Sequence, residues 1–419
     1  MKILMLNTYD NGGGAANAAY RLAEALRNNN IDVDLGVLEK RTNAEFVYEL
    51  KRKKGFSKII HLFLKLYRKI LYHFYSSTNQ IHTSFDIISK IDINYINKSD
   101  YDLIHLNWIH LDMLSIKDIG LIKKPLVVTL HDSWFCCGAE HHPNVLENDS
   151  RWQTGYFFKN KPKTTKGPDL CRYIWNYKKK YWKKLNPIFV APSTWEKSIL
   201  ESSALYKNKY CAVIPNLINH SEFQKTDNKD FIKSMNIPEG KIILGFGAAY
   251  GVDDPKSIKG TFYLINALKM LTDTDKYFLV IFGKSDEKFT KHLSIPYLET
   301  GFITDNILLS RIYNSLDIFL NPSIIESFGL TTMEAMCCGV PTVAFDMGGT
   351  KDIIDHKKNG YMAVPYSSED FMRGINYCSQ NNIKLKEQCL IDSEKKFNNQ
   401  IVVKEYIKIY NLAINDYNS

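Results

Sequence analysis

The stretch from Asn321 to Asp346, N-P-S-I-I-E-S-F-G-L-T-T-M-E-A-M-C-C-G-V-P-T-V-A-F-D, leaves this chain few folds to choose from. Ile318-Phe319-Leu320 reads as the end of a buried strand, and Glu326 follows in a loop. Gly329 marks a bend, Leu330 to Cys338 has helical composition, and Gly339 with Pro341 stops that helix before the strand Val340 to Phe345. Strand, loop, helix and strand in that order make a parallel α/β unit, with one carboxylate ahead of the helix and a second, Glu334, inside it. The first N–H groups of such a helix have no partner within it and carry partial positive charge. An acid delivered beside those donors can hold a hydroxyl and a phosphate together. A solvated Glu and a simple cap fit the same spacing.

A chain of 419 residues exceeds one ordinary core and implies two domains of about 200 residues each. Apolar residues make up 45%, enough for two cores and too many for general disorder. Met1-Lys2 leads straight into Ile3 to Leu6, which reads as a first strand and is too short for a signal peptide. Apolar runs never reach the ~18 residues of a membrane span. The eight cysteines form no C-x-x-C pair, so reduced thiols and a cytoplasmic setting are expected.

The net charge of +9 is unevenly spread, with a basic run at Lys51 to Lys54. In the segment that follows, Ile59, Phe63, Leu66, Ile70 and Phe74 recur at helical spacing, with Lys58, Lys65, Arg68 and Lys69 largely elsewhere on the wheel. Residues 51–75 therefore suit a helix lying on an anionic leaflet, or one packed on its own domain with a basic outer face. A nucleic-acid partner is not expected, because no binding module is present.

Lys2 to Asn7 reads as a strand, Asp10 to Gly14 as a tight loop and Ala15 to Arg27 as a helix. This is a Rossmann-like opening whose glycines let a ligand approach the backbone. As a dinucleotide fingerprint it fails, since G-G-G-A-A-N is not G-x-G-x-x-G and Asp32 or Asp34 comes too early. Asp102 to Leu106 and Pro125 to Leu130 read as strands buried on both faces, the second ending in His131-Asp132, where open α/β sheets place ligands. Phe135 to Trp182 is aromatic, basic and irregular; a zinc set of His141, His142 and Cys171 fits no standard spacing, and no metal site is expected. Ile188 to Pro192 and Ala212 to Pro215 read as further strands, followed by a polar linker with a short helix from Asn228 to Gly240. Lys241 to Gly247 and Tyr277 to Gly283 open the second domain as strands, and Ile401 to Leu412 has helical periodicity.

The segment P-S-I-I-E-S-F-G-L-T-T-M-E-A-M-C-C-G-V-P-T-V resembles the E-x7-E signature of family 4 of the retaining glycosyltransferases, P-S-x-x-E-x-F-G-x-x-x-x-E-A-M-x-x-G-x-P-V-V. Weaker echoes include L-H-D-S-W at 130–134, P-N-L-I-N at 215–219, Lys259-Gly260, Gly301 to Asp305 and the glycine turn at 347–352. The resemblance implies the GT-B fold: α/β, two Rossmann-like doubly wound parallel-sheet domains facing a central cleft. It implies an acceptor-binding domain at 1–217, a nucleotide-sugar domain at 218–395, and a last helix, 396–419, crossing back to the first domain.

On that resemblance, Glu326, His131 and Lys259 are the catalytic candidates. Gly13, Gly14, Lys256, Ile303, Phe328, Gly329, Leu330, Thr331 and Glu334 are the substrate-binding candidates. Glu326 would hold hydroxyls of the donor sugar, Glu334 would meet the ribose and the main chain near Ile303 would read the base edge. Lys259 and the N–H groups from Phe328 to Thr331 would receive the diphosphate. The family's phosphate-binding Arg is absent, its neighbourhood being Ala248 and Ala249, and Lys256 is the substitute on hand. The implied donor is a nucleoside-diphosphate sugar, with no cofactor and no metal. The implied acceptor is a glycan, lipid-linked in capsule or O-antigen assembly, at the inner face of the cytoplasmic membrane. A sugar-nucleotide epimerase shares the fold, and a catalytically silent sugar-nucleotide-binding partner is the non-enzyme alternative.

Overall fold

The computed structural model describes residues 1–53, 66, 69, 82–144, 148–165, 167–247, 254–255, 257–283 and 287–419. Lys256, Ala248, Ala249 and nearly all of the basic amphipathic segment at 54–75 lie outside the described residues. The chain divides into two compact units, Met1–Pro215 with Gln400–Ser419, and Asn216–Asn399.

Unit 1 is built on seven parallel strands: β1 (Lys2–Tyr9), β2 (Asp32–Glu39), β3 (Val47–Glu49), β4 (Leu103–Leu106), β5 (Leu126–Thr129), β6 (Ile188–Ala191) and β7 (Cys211–Val213). Their order is β3-β2-β1-β4-β5-β6-β7. β4, β5 and β6 are buried at every residue, which is why each reads as mainly apolar, with His105 and Thr129 as the buried polar exceptions. The chain winds outward in both directions from the β1–β4 pair, Ile3 opposite Leu103, so the loops leaving these two strands part and open a crevice at their carboxyl ends.

The final helix, Asn399–Asn418, buries Val402, Val403, Tyr406, Ile409, Tyr410 and Ala413 at three- and four-residue steps. Tyr410 Oη lies 3.0 Å from His105 Nδ1 on β4, and Tyr406 Oη lies 3.3 Å from Thr129 Oγ1 on β5.

Unit 2 repeats the plan with β8 (Ile242–Gly247), β9 (Tyr277–Phe282), β10 (Tyr297–Gly301), β11 (Ile318–Asn321), β12 (Thr342–Phe345) and β13 (Gly360–Ala363), in the order β10-β9-β8-β11-β12-β13. Alternate side chains serve opposite faces. Leu244, Phe246, Leu279, Ile281, Ile318, Leu320, Val343 and Phe345 enter one core, whereas Ile243, Phe278, Val280, Phe282, Phe319 and Ala344 enter the other. The β8–β11 pair is the point of divergence here, and the loop after β11 carries Glu326.

The region from 135 to 182 departs from the irregular chain expected of it. It contains the helix Leu170–Tyr181, which buries Cys171, Ile174, Trp175 and Lys178 at helical spacing. Its lysine-rich composition hides that stripe, because one of the lysines points inward. All eight cysteines are buried free thiols. Among the described residues no helix is long and apolar enough to cross a membrane.

Candidate active site

In unit 2 the position of the acid is set by backbone contacts that only glycine permits. Gly260 has φ +63°, and a Cβ there would sit 1.8 Å from the carbonyl oxygen of Pro322. Ile324 N–H donates to the Ile258 carbonyl at 2.8 Å, so the turn holding Lys259 is laced to the loop after β11. On the other side, Gly349 N–H donates to the Glu326 carbonyl at 2.7 Å. A Cβ on Gly348 would lie 2.5 Å from that same carbonyl, and one on Gly349 2.2 Å from the Ser327 carbonyl. The acid loop is thus clasped between two glycine turns.

The outcome is that Lys259 Nζ stands 3.9 Å from Glu326 Oε2, with both side chains partly exposed. A part-exposed pair of this length contributes little to stability. Its significance is chemical: a cation and an acid stand together, both partly exposed, beyond the carboxyl end of β11. Gly329, at φ +103°, turns the chain into the helix Leu330–Cys337, and Met333 N–H makes its bond to the Gly329 carbonyl at 3.0 Å. The N–H groups of Leu330, Thr331 and Thr332 precede that bond, and Thr331 is exposed beside them. Phe328 is buried behind the turn. Glu334 is 5% exposed one turn into the helix, accepting from Tyr313 Oη at 3.3 Å. Ile303 follows β10 and is half-buried in a loop exposed on either side of it.

In unit 1 the candidates gather at the carboxyl ends of β1, β4 and β5. Asp10 accepts from the N–H of Arg41 at 2.7 Å and of Thr42 at 2.8 Å, which pins the loop after β1. Gly12 takes φ +95°, whereas Gly13 is in ordinary extended backbone at φ 178° and caps the helix Gly14–Asn28. Nothing lies within 4 Å of where a Gly13 Cβ would be, so open space fronts that turn.

His131 Nε2 lies 2.9 Å from Asn107 Oδ1. Burial lowers the His131 pKa to about 4 against a small opposing pull from Asp132. The ring is therefore neutral near pH 7, its Nε2–H donates to Asn107, and Nδ1 is left as an acceptor. One layer below, His105 Nε2 meets Thr129 Oγ1 at 2.8 Å and is likewise held neutral by burial, with a pKa of about 3.

A second polar cluster adjoins His131, and sequence spacing did not reveal it. Asp132 Oδ2 lies 2.5 Å from His141 Nδ1 and accepts from the Trp108 indole at 3.0 Å, and Oδ1 accepts from Trp134 N–H at 2.9 Å. Burial would push this carboxyl up, but His141, His110 and His142 hold it well below the usual range. His110 Nδ1 lies 2.5 Å from Asp86 Oδ2. Among the described residues His110, Asp132 and His141 are the single grouping with metal-ligand proximity. The His141, His142 and Cys171 set is not gathered: His142 Nδ1 faces Glu196 at 3.9 Å.

A family model described as Glycosyltransferase Family 4 matches residues 12–222, and one described as Glycosyl transferases group 1 matches residues 227–396. An uncharacterised glycosyltransferase of Methanocaldococcus jannaschii is 28% identical over 192 residues, covering 41% of this chain. The matched segment spans about half of that relative's length, 49%. The N,N'-diacetylbacillosaminyl-diphospho-undecaprenol alpha-1,3-N-acetylgalactosaminyltransferase of Campylobacter jejuni is 25% identical over 259 residues, 59% of this chain and 66% of that enzyme. The Anabaena HepE structure with UDP and glucose superposes with a TM-score of 0.65 at 17% identity, over 97% of this chain and 98% of that one. That likeness is one of fold.

Proposed function

The chain belongs to glycosyltransferase family 4, and from that premise we propose that it moves a sugar, with retention, from a nucleoside-diphosphate sugar to a saccharide acceptor. The observation that carries the proposal is the Lys259–Glu326 approach of 3.9 Å inside the double glycine clasp. Departure of a nucleoside diphosphate concentrates negative charge on the leaving oxygens, and groups already oriented toward that charge stabilise it most. Lys259 supplies a point charge, and the first N–H groups of Leu330–Cys337 supply aligned dipoles. No metal is required at the diphosphate in this reading.

Glu326, kept beside Lys259, is suited to hold donor-sugar hydroxyls while positive charge develops at the anomeric carbon. Glu334 takes the ribose hydroxyls, and the backbone near Ile303 takes the base. In unit 1 the neutral His131 offers Nδ1 as an acceptor for a hydroxyl, beside the open turn at Gly13 and Gly14. The matched Campylobacter enzyme is named for a diphospho-undecaprenol substrate. That supports a lipid-linked oligosaccharide acceptor, in capsule or O-antigen assembly at the cytoplasmic face of the inner membrane. The basic run at Lys51 to Lys54 suits the same surface.

Glu326→Ala tests the reading. Turnover of a nucleotide sugar should fall by at least ~100-fold, as when an interaction that strengthens in the transition state is removed. Near-normal turnover in a folded variant would overturn the assignment.

A further inference from the structure

We propose that His110, Asp132 and His141 bind one divalent transition-metal ion of the zinc type, as a fastening within unit 1 and apart from the diphosphate chemistry. Each offers one donor atom, and the three lie within 4.8 Å of one another. Toward Asp132 Oδ2, His141 Nδ1 stands at 2.5 Å and His110 Nε2 at 3.9 Å. In a tetrahedral site with bonds of about 2.1 Å, donor atoms sit about 3.4 Å apart. The two separations bracket that value, so small opposite shifts of the rings admit the ion.

Both imidazoles are already held from behind. Asp86 Oδ2 meets His110 Nδ1 at 2.5 Å, and Ser84 Oγ meets His141 Nε2 at 2.8 Å. A carboxylate or hydroxyl on the far nitrogen is the usual outer partner of a metal-bound histidine, because it orients the ring and sets the tautomer. His110 Nε2, on the opposite side of the ring from Asp86, faces Asp132 Oδ2 at 3.9 Å, so an ion placed between them would meet a ring nitrogen and a carboxylate oxygen together.

Charge balance points the same way. Asp86 is 3% exposed and Asp132 8%, and among the described residues neither has a lysine or arginine within ion-pair distance. Two buried carboxylates beside histidine rings favour added positive charge, the buried Lys178 being the lysine in electrostatic reach of Asp86. A single dication provides it. Two nitrogens and one carboxylate oxygen are a borderline donor set that suits Zn2+ or Co2+ better than Mg2+ or Ca2+. The ligands come from three stretches of chain, and Asp132 directly follows His131, so the ion would tie together the loops that border that ring.

The test uses the purified full chain. Elemental analysis should find about one equivalent of zinc, removal by a strong chelator should lower the thermal midpoint, and Co2+ added to the stripped protein should give the intense visible absorption of a four-coordinate N/O site. His141→Ala and His110→Ala should each abolish that absorption, while His142→Ala and Cys171→Ala should leave it intact. If either His variant fails to fold, the Co2+ titration of the stripped wild-type chain still decides. No Co2+ band with an unchanged midpoint on chelation would overturn the proposal. A band lost in His142→Ala or Cys171→Ala instead would overturn the ligand assignment.

Discussion

Gly260 and Pro322 touch so closely that the missing Cβ of the first would lie 1.8 Å from the carbonyl oxygen of the second. Gly260→Ala must therefore move the loop after β11 or the turn that carries Lys259, and it must hold a side chain at φ +63°. We expect a loss of ~2–4 kcal/mol of unit 2 stability and a fall in turnover well beyond what that loss explains. Equilibrium denaturation followed by steady-state kinetics separates the two.

Lys259→Met should act mainly on departure of the diphosphate. The expected result is a fall in kcat of ~10–100-fold, with partial recovery in Lys259→Arg, which restores charge in a different shape. A change confined to KM would assign Lys259 to ground-state binding alone.

The two acids of the candidate stretch and Lys259 could be singled out because their motif is local. Glu326 and Glu334 lie eight positions apart in one strand–loop–helix unit, and Lys259-Gly260 stands as a recognisable pair. The central strands of both sheets were legible for a related reason, since burial on two faces forces nearly continuous apolar runs such as Leu126–Val128, whereas β3 and β13 were not read as strands. β2 is harder to read, because Asp32, Asp34 and Gly36 interrupt its apolar residues. Of the polar cluster around Asp132, only Asp132 itself was legible, as part of a polar pair past the end of a strand. Its partners are 24 residues apart for His110 and Asp86, and 57 for His141 and Ser84, and only the folded sheet edge brings them together. Gly348 and Gly349 were visible as a turn, but not as the surface on which the Glu326 loop rests.

Acid should destabilise unit 1 through His105 and His131. In the unfolded chain both rings take up a proton near pH 6.5, whereas in the fold burial delays this to about 3 and about 4. Below 6.5 the unfolded state binds protons that the folded state refuses, so stability present above that pH is lost as pH falls toward 4 and then 3. His131→Asn should flatten part of this slope in denaturant titrations between pH 7 and pH 4.

Lys178 is fully buried, with Nζ donating to the carbonyls of Trp134, Cys137 and Gly138, and burial lowers its pKa to about 7. Lys178→Met leaves three inward-facing carbonyls without their donor. A cost of ~2–4 kcal/mol is expected, read as a lower denaturation midpoint with an unchanged denaturant slope.

Tyr410→Phe removes the hydroxyl that meets His105 Nδ1. A loss of ~1 kcal/mol is expected from the missing bond, more if the ring nitrogen stays unsatisfied. A double-mutant cycle with Tyr406→Phe would show whether Tyr406 and Tyr410 act on the two strands as a unit.

Because Gln400–Ser419 is grouped with Met1–Pro215, the part of the protein made first is finished last. During translation the whole of Asn216–Asn399 must emerge before β4 and β5 receive the tyrosines that cover His105 and Thr129. A stop codon or a bulky fusion within the final helix would therefore injure the amino-terminal half while sparing its neighbour, so that a protease added to the released chain should cut within Met1–Pro215 before it cuts within Asn216–Asn399.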